Sequence, residues 1–198
     1  KLSHTKVELT YNLMRTFVAG LAFAMPFSLV YQMMSDRMKG LQKSEKVIKG
    51  LPFAAGFTAG TAVSIAGNMH YVIYAQIIPL IEKLTGKEVS SYWFPDATRY
   101  IGYNPYREED RTIHEFPCYS FVLGDLHAHV VNIMFVLLVI AFLYVWLRGV
   151  RKKTVPVETS MKDGKFWKEQ LLMPHLLVIS ALLGMFQWTN FWDFVIYY

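Results

Sequence analysis

The stretch EFPCYSFVLGDLHAHVVNIMFVLLVIAFLYVWL sets Glu115, Asp125, His127 and His129 immediately ahead of a long apolar run. Carboxylates and imidazoles at this spacing offer two kinds of chemistry. Asp125-Leu126-His127-Ala128-His129 has the D-x-H-x-H form of the first metal-binding strand of many zinc-dependent hydrolases, where alternate residues point the same way. On a helix each residue rotates by about 100°. Asp125 and His129 then share a face, with Asn132 one turn on, and His127 points away. No Gly, Pro or turn cluster interrupts the chain between Asp125 and Leu147, although a strand ending at His129 requires such a break. The barrel hydrolases also require alternating strands and helices, a pattern missing from this sequence. The helical reading is preferred. It makes Asp125 a candidate proton acceptor, or makes Asp125 and His129 two ligands of a possible divalent metal ion whose third ligand comes from elsewhere.

Other polar residues invite similar questions. Glu115 precedes Phe116-Pro117, and Pro117 suits the first turn of a helix; Glu115 is a second candidate base, or a partner of that helix's dipole. In SYWFPDATRYIGYNP, Arg99 has the fork geometry to hold a phosphate, or pairs with Asp96 or Glu115. Tyr92 and Tyr100 read as interfacial belt residues. GNMHY supplies Asn68 and His70, a histidine expected to be hydrogen-bonded rather than a ligand. TNFWD supplies Asn190, Asp193 and Trp192, the last a sugar-stacking platform or a belt residue.

The elements that must carry these residues are apolar. The chain is 54% hydrophobic, 16% aromatic and only 18% charged, outside the usual range of soluble domains. Four stretches lack Asp, Glu, Lys and Arg over roughly the ~20 residues a membrane helix needs, giving expected helices at 13–35, 51–67, 126–147 and 171–189. The loops between them differ in charge. DRMKGLQKSEKVIKG carries five basic and two acidic residues, and RGVRKKTVPVETSMKDGKFWKE carries seven basic and three acidic. From Glu82 to Asp125 there are five basic and eight acidic residues. Lys/Arg-rich loops stay in the cytoplasm, so 36–50 and 148–170 are expected inside and 68–125 outside. The net charge of +5 is thereby accounted for without nucleic acid. All the candidate residues fall on the outer side. The lone Cys118 excludes an internal disulfide. The sequence opens at Lys1 and closes on FWDFVIYY, and the expectation is a fragment of one transmembrane domain in a longer polypeptide.

SYWFPDATRYIG, TIHEFPCYSFVLGDLHAHV and TNFWDF together resemble the YYY-type multi-pass membrane proteins of bacteria and archaea, a family grouped with the GT-C glycosyltransferases. The likeness runs through most of the chain and is densest in E-F-P-x-x-S-F-x-x-G-D-L-H-x-H. Ala128 stands where Pro is common, and Phe191 where a small residue is common. The N-Y-Y-Y-F-G string of the family is not in this sequence. The resemblance implies an all-α, multi-pass, GT-C-like helical bundle in the cell membrane. It also implies a polyprenyl-phosphate-sugar donor, with the principal catalytic carboxylate in an outer loop on the rest of the same polypeptide. On that reading Asp125 or Glu115 serves as base, and Arg99 with His127 or His129 meets the phosphate. Asn68, His70, Asp96, Asn190, Trp192 and Asp193 contact substrate. The alternative is a non-catalytic transporter or scaffold of envelope assembly. A transporter is expected to place polar groups at mid-membrane, whereas the middle of the third span, IMFVLLVIAFLY, is wholly apolar.

Overall fold

The computed structural model describes residues 6–39, 41, 44–67, 69–99, 115–151, 168 and 172–197. Its elements are helical, and no strand occurs among the described residues; the strand required by the hydrolase reading of DLHAH does not form. The chain divides into two compact units, Lys1–Leu126 and His127–Tyr198.

The first unit is built on a helical hairpin. α1 runs Val7–Met38 and α2 runs Glu45–Thr61. Contacts of Gly60 with Phe23, and of Gly56 with Phe27 and Tyr31, show that the two helices are antiparallel. The contact rows repeat every four residues: Val18, Ala22 and Pro26 are buried on α1, Pro52, Gly56 and Gly60 on α2. Gly56-Phe57-Thr58-Ala59-Gly60 is a G-x-x-x-G sequence, the spacing that lets helix backbones approach closely in lipid. A Cβ at Gly56 would lie 2.8 Å from the Phe27 carbonyl oxygen, and one at Gly60 would lie 2.9 Å from the Phe23 ring and carbonyl. Aromatic rings flank this seam. Phe27 meets Phe53 and Phe23 meets Phe57 edge-on, at 5.7 and 5.8 Å between centroids, contacts worth about 0.5–1.5 kcal/mol each beyond their burial.

Beyond Thr61 the helix widens into a π-helical segment, Ala62–Ala66. The buried Ser64 hydroxyl donates to the Gly60 carbonyl at 2.7 Å, a back-bond of the kind that bends helices. The segment ends at Gly67, with φ +54°. A second π-helical segment, Val72–Ile77, leads into α3, Ile78–Leu84. A 3-10 helix, Phe94–Arg99, and α4, Pro117–Leu123, complete the unit. Pro117 occupies the start of α4, and Gly124 ends it in the left-handed region at φ +75°.

The second unit contains α5, Ala128–Arg151, α6, Pro174–Thr189, and the short α7, Phe191–Tyr197. Its core is Val139, Ile179 and Phe186, with Phe135, Val136, Leu183 and Phe194 packed around them.

Among the described residues, two helices are long and apolar enough to cross a membrane, Val7–Met38 and Ala128–Gly149. At about 1.5 Å per residue, both exceed the ~30 Å hydrocarbon layer. The other two expected spans are shorter as α-helix, 17 residues for α2 and 16 for α6. α5 starts at Ala128, two residues later than the charge-free run indicates. The reason is local: Gly124 terminates α4, and the His127 carbonyl accepts the Val130 and Val131 N–H groups at the head of the new helix.

Candidate functional site

The first unit holds a cavity of about 490 Å³, within the size range of small-molecule sites. Ile65, Ala66 and Gly67 form one wall at the end of the α2 π-segment, and Phe94 and Ala97 of the 3-10 helix form another. Phe116, Cys118, Tyr119 and Val122 close it from α4 and its leading residue. The lining is overwhelmingly apolar. Burial pushes the Cys118 thiol above its ordinary pKa, which leaves it protonated and a poor nucleophile. The turn at the rim is strained: Met69 takes φ +62°, a conformation uncommon for a side-chain-bearing residue.

A titratable cluster adjoins this cavity. The His70 Nδ1 lies 3.0 Å from the Tyr92 hydroxyl, and the His70 ring stacks on Tyr74 at 4.4 Å. Tyr71, which lines the cavity, meets Tyr92 and Phe94 edge-on. Burial holds the His70 pKa below its usual value, against the opposing pull of Asp96. Burial also raises Tyr92, and the charge of Asp96 and the proximity of Tyr71 act in the same direction. The pair is therefore a neutral imidazole against a neutral phenol near pH 7. Such a pair can relay a proton without carrying a charge into an apolar wall.

The second unit has its own polar centre. Asn132, buried on α5, donates from Nδ2 to Asp193 Oδ2 at 2.5 Å, and Asn190 donates from Nδ2 to the same oxygen at 2.9 Å. Asn190 interrupts the helix with φ −153° and ψ 95°, and its carbonyl accepts the Asp193 N–H.

A family profile for an uncharacterized membrane protein, DUF2298, matches residues 1–198. The chain belongs to that family. No curated protein and no solved structure matches it. The family assignment makes the apolar helices of this DUF2298 chain those of a membrane protein.

Against this frame the sequence candidates of the DUF2298 chain divide clearly. His70 and Asp96 do come together, and Asn190 and Asp193 do. Tyr92, expected as a belt residue, is the partner of His70. Glu115 is half-buried and stands one residue before Phe116 of the cavity wall. Asp125 is exposed, and its N–H donates to the Ser120 carbonyl. Because α5 begins at Ala128, Asp125 is not on the helix, and the shared helical face expected for Asp125 and His129 is absent.

His127 is exposed at the cap of α5. His129 is half-buried, with Nε2 enclosed and without a hydrogen-bond partner among the described residues. Their rings lie 5.7 Å apart, edge to face. Trp192 is 72% exposed, in keeping with either a belt or a platform. Asn68 and the side chain of Arg99 lie outside the described residues. Sequence reasoning missed Arg15 and Tyr11, which sit against the Gly124 turn; their only signal was a cation and a phenol at the mouth of an apolar helix.

Proposed function

We propose that this DUF2298 chain is part of a multi-pass membrane glycosyltransferase of GT-C type, moving a sugar from a polyprenyl-phosphate donor to an acceptor on the extracytoplasmic face. The four expected spans are α1, α2 with its π-helical extension, α5 and α6. The observation that carries the reading is the apolar cavity of about 490 Å³ whose wall begins one residue after Glu115 and adjoins the His70–Tyr92 pair. An apolar cavity edged by proton-handling groups suits a substrate with a hydrocarbon chain and a reacting polar end.

In this mechanism the donor's phosphate is its own leaving group, so no strong general acid is required. A carboxylate takes the proton of the acceptor hydroxyl as that oxygen attacks the sugar carbon. Glu115 is the favoured base on position, with Asp125 second. Arg99 is assigned to the charge gathering on the departing phosphate.

The test replaces Glu115 by Gln and Asp125 by Asn in the full-length protein, with envelope glycan and lipid-linked sugar as readouts. Loss of a general base lowers transfer by about 10²–10⁴-fold, so lipid-linked sugar should accumulate in the variant that has lost the base. Normal glycan in both variants overturns both base assignments. For the topology, residues 118 and 160 should label from opposite sides of the membrane.

A further inference from the structure

Arg15 is a half-buried cation in the outer part of α1, and no hydrogen bond or ion pair joins it to another described residue. Its guanidinium does not reach out along the helix, as a charged side chain near a membrane surface usually does. It lies on the backbone of Gly124, where an added Cβ would overlap it. Gly124 is therefore required twice, for its left-handed backbone and for the space it leaves.

The surrounding backbone is already satisfied. The Ser120 carbonyl accepts the Gly124 and Asp125 N–H groups. The Tyr11 hydroxyl donates to the Gly124 carbonyl at 3.0 Å and accepts the Leu126 N–H at 3.1 Å. The ordinary role of an arginine here, capping the carbonyl end of α4, is thus taken by other groups. A partly buried guanidinium with its donors unspent is costly unless an anion meets it.

We infer that Arg15 is the binding cation for a phosphate group carried on a lipid chain, with the chain entering the apolar cavity. α4 joins the two halves of such a site: Val122 is in the cavity wall, and Gly124 two residues later supports Arg15. The planar fork of arginine suits phosphate oxygens in pairs. The inference deepens the proposed glycosyl-transfer reading and depends on it only for the identity of the lipid.

The experiment measures binding alone, without acceptor, on the full-length protein in mixed micelles by native mass spectrometry. The probes are undecaprenyl phosphate, undecaprenol and inorganic phosphate. Undecaprenyl phosphate should bind more tightly than undecaprenol. Arg15→Gln should weaken the phosphate lipid by on the order of tenfold, the scale of a lost charge-assisted hydrogen bond, and leave undecaprenol unchanged. Arg15→Lys, which keeps the charge and most of the packing, should fall between, and so covers the case in which Arg15→Gln does not fold. Gly124→Ala should weaken the phosphate lipid by displacing the guanidinium.

Displacement by inorganic phosphate assigns recognition to the headgroup; no displacement, with Arg15 dependence intact, assigns it to the phosphate and chain together. Equal binding of alcohol and phosphate, or unchanged affinity in both Arg15 variants, overturns the inference. Arg15-dependent binding here, together with normal glycan in the Glu115→Gln and Asp125→Asn variants, overturns both base assignments and leaves the phosphate site standing.

Discussion

The two units solve helix packing in opposite ways. In the first, α1 and α2 meet through small residues, and the backbone itself is the contact surface at Gly56 and Gly60. In the second, large side chains such as Phe186 and Ile179 fill the core, while Gly184 on α6 would find nothing within 4 Å of an added Cβ. The polar groups differ in the same sense. The second unit holds its Asp193 carboxylate with two amide donors. The first unit keeps its His70–Tyr92 pair neutral beside an open cavity, and its Arg15 has no partner among the described residues. A close-packed seam supports vacant space at its end because the glycine contacts hold the helices together without help from the residues beyond them.

The comparison is broken most severely at the seam. Gly60→Leu has to displace Phe23 and its carbonyl, and overpacking of this kind costs about 1–3 kcal/mol or more. Thermal unfolding in detergent should show a large loss, whereas Gly184→Ala should be neutral or slightly stabilising through helix propensity. Equal effects at the two positions would remove the distinction between the units.

A smaller effect is expected in the second unit. Asn132→Ala leaves the half-buried Asp193 carboxylate with one amide donor, and loss of a hydrogen bond to a charged group of this kind costs about 1–3 kcal/mol. Asp193→Asn, which keeps the shape, should lose less by the same melt.

The smallest effect is a pH dependence confined to the first unit. His70 has a folded pKa below its ordinary 6.5, so the unfolded chain binds its proton first as pH falls. Stability is then complete above pH 6.5 and declines as pH drops through that value toward the folded pKa. Tyr92, raised above 10.0, gives the opposite limb, with stability falling as pH climbs past 10. His70→Gln should flatten the acid limb and leave the alkaline one; melting curves across pH read both.

The long elements were legible because lipid imposes its own rule. A charge-free run of membrane length has few alternatives to a helix, and α1 and α5 follow. What failed to show was the punctuation. Gly124 was visible as a residue, but its role as the left-handed end of α4 depends on where α4 starts, and that depends on Pro117. The break it creates takes Asp125 off the helix. The π-helical widening at Ala62–Ala66 follows from Ser64 bonding backwards, which a pattern of apolar residues does not encode. G-x-x-x-G was readable as a packing face, yet its partner on α1 was not. The His70–Tyr92 pair joins residues 22 positions apart across a turn whose geometry includes a positive φ at Met69, so belt tyrosine and site tyrosine look alike in sequence.

The Tyr11 hydroxyl has a consequence for biosynthesis. It bridges Gly124 and Leu126, which lie 113 and 115 positions further along the chain. The α1–α2 seam can close as soon as Thr61 has emerged from the ribosome, but the N-terminal end of α1 stays unfastened through the synthesis of some sixty further residues. During that interval the cavity lacks its α4 wall. The unit is completed by a latch near its last residue, so a chain released early closes its first hairpin but never completes the cavity.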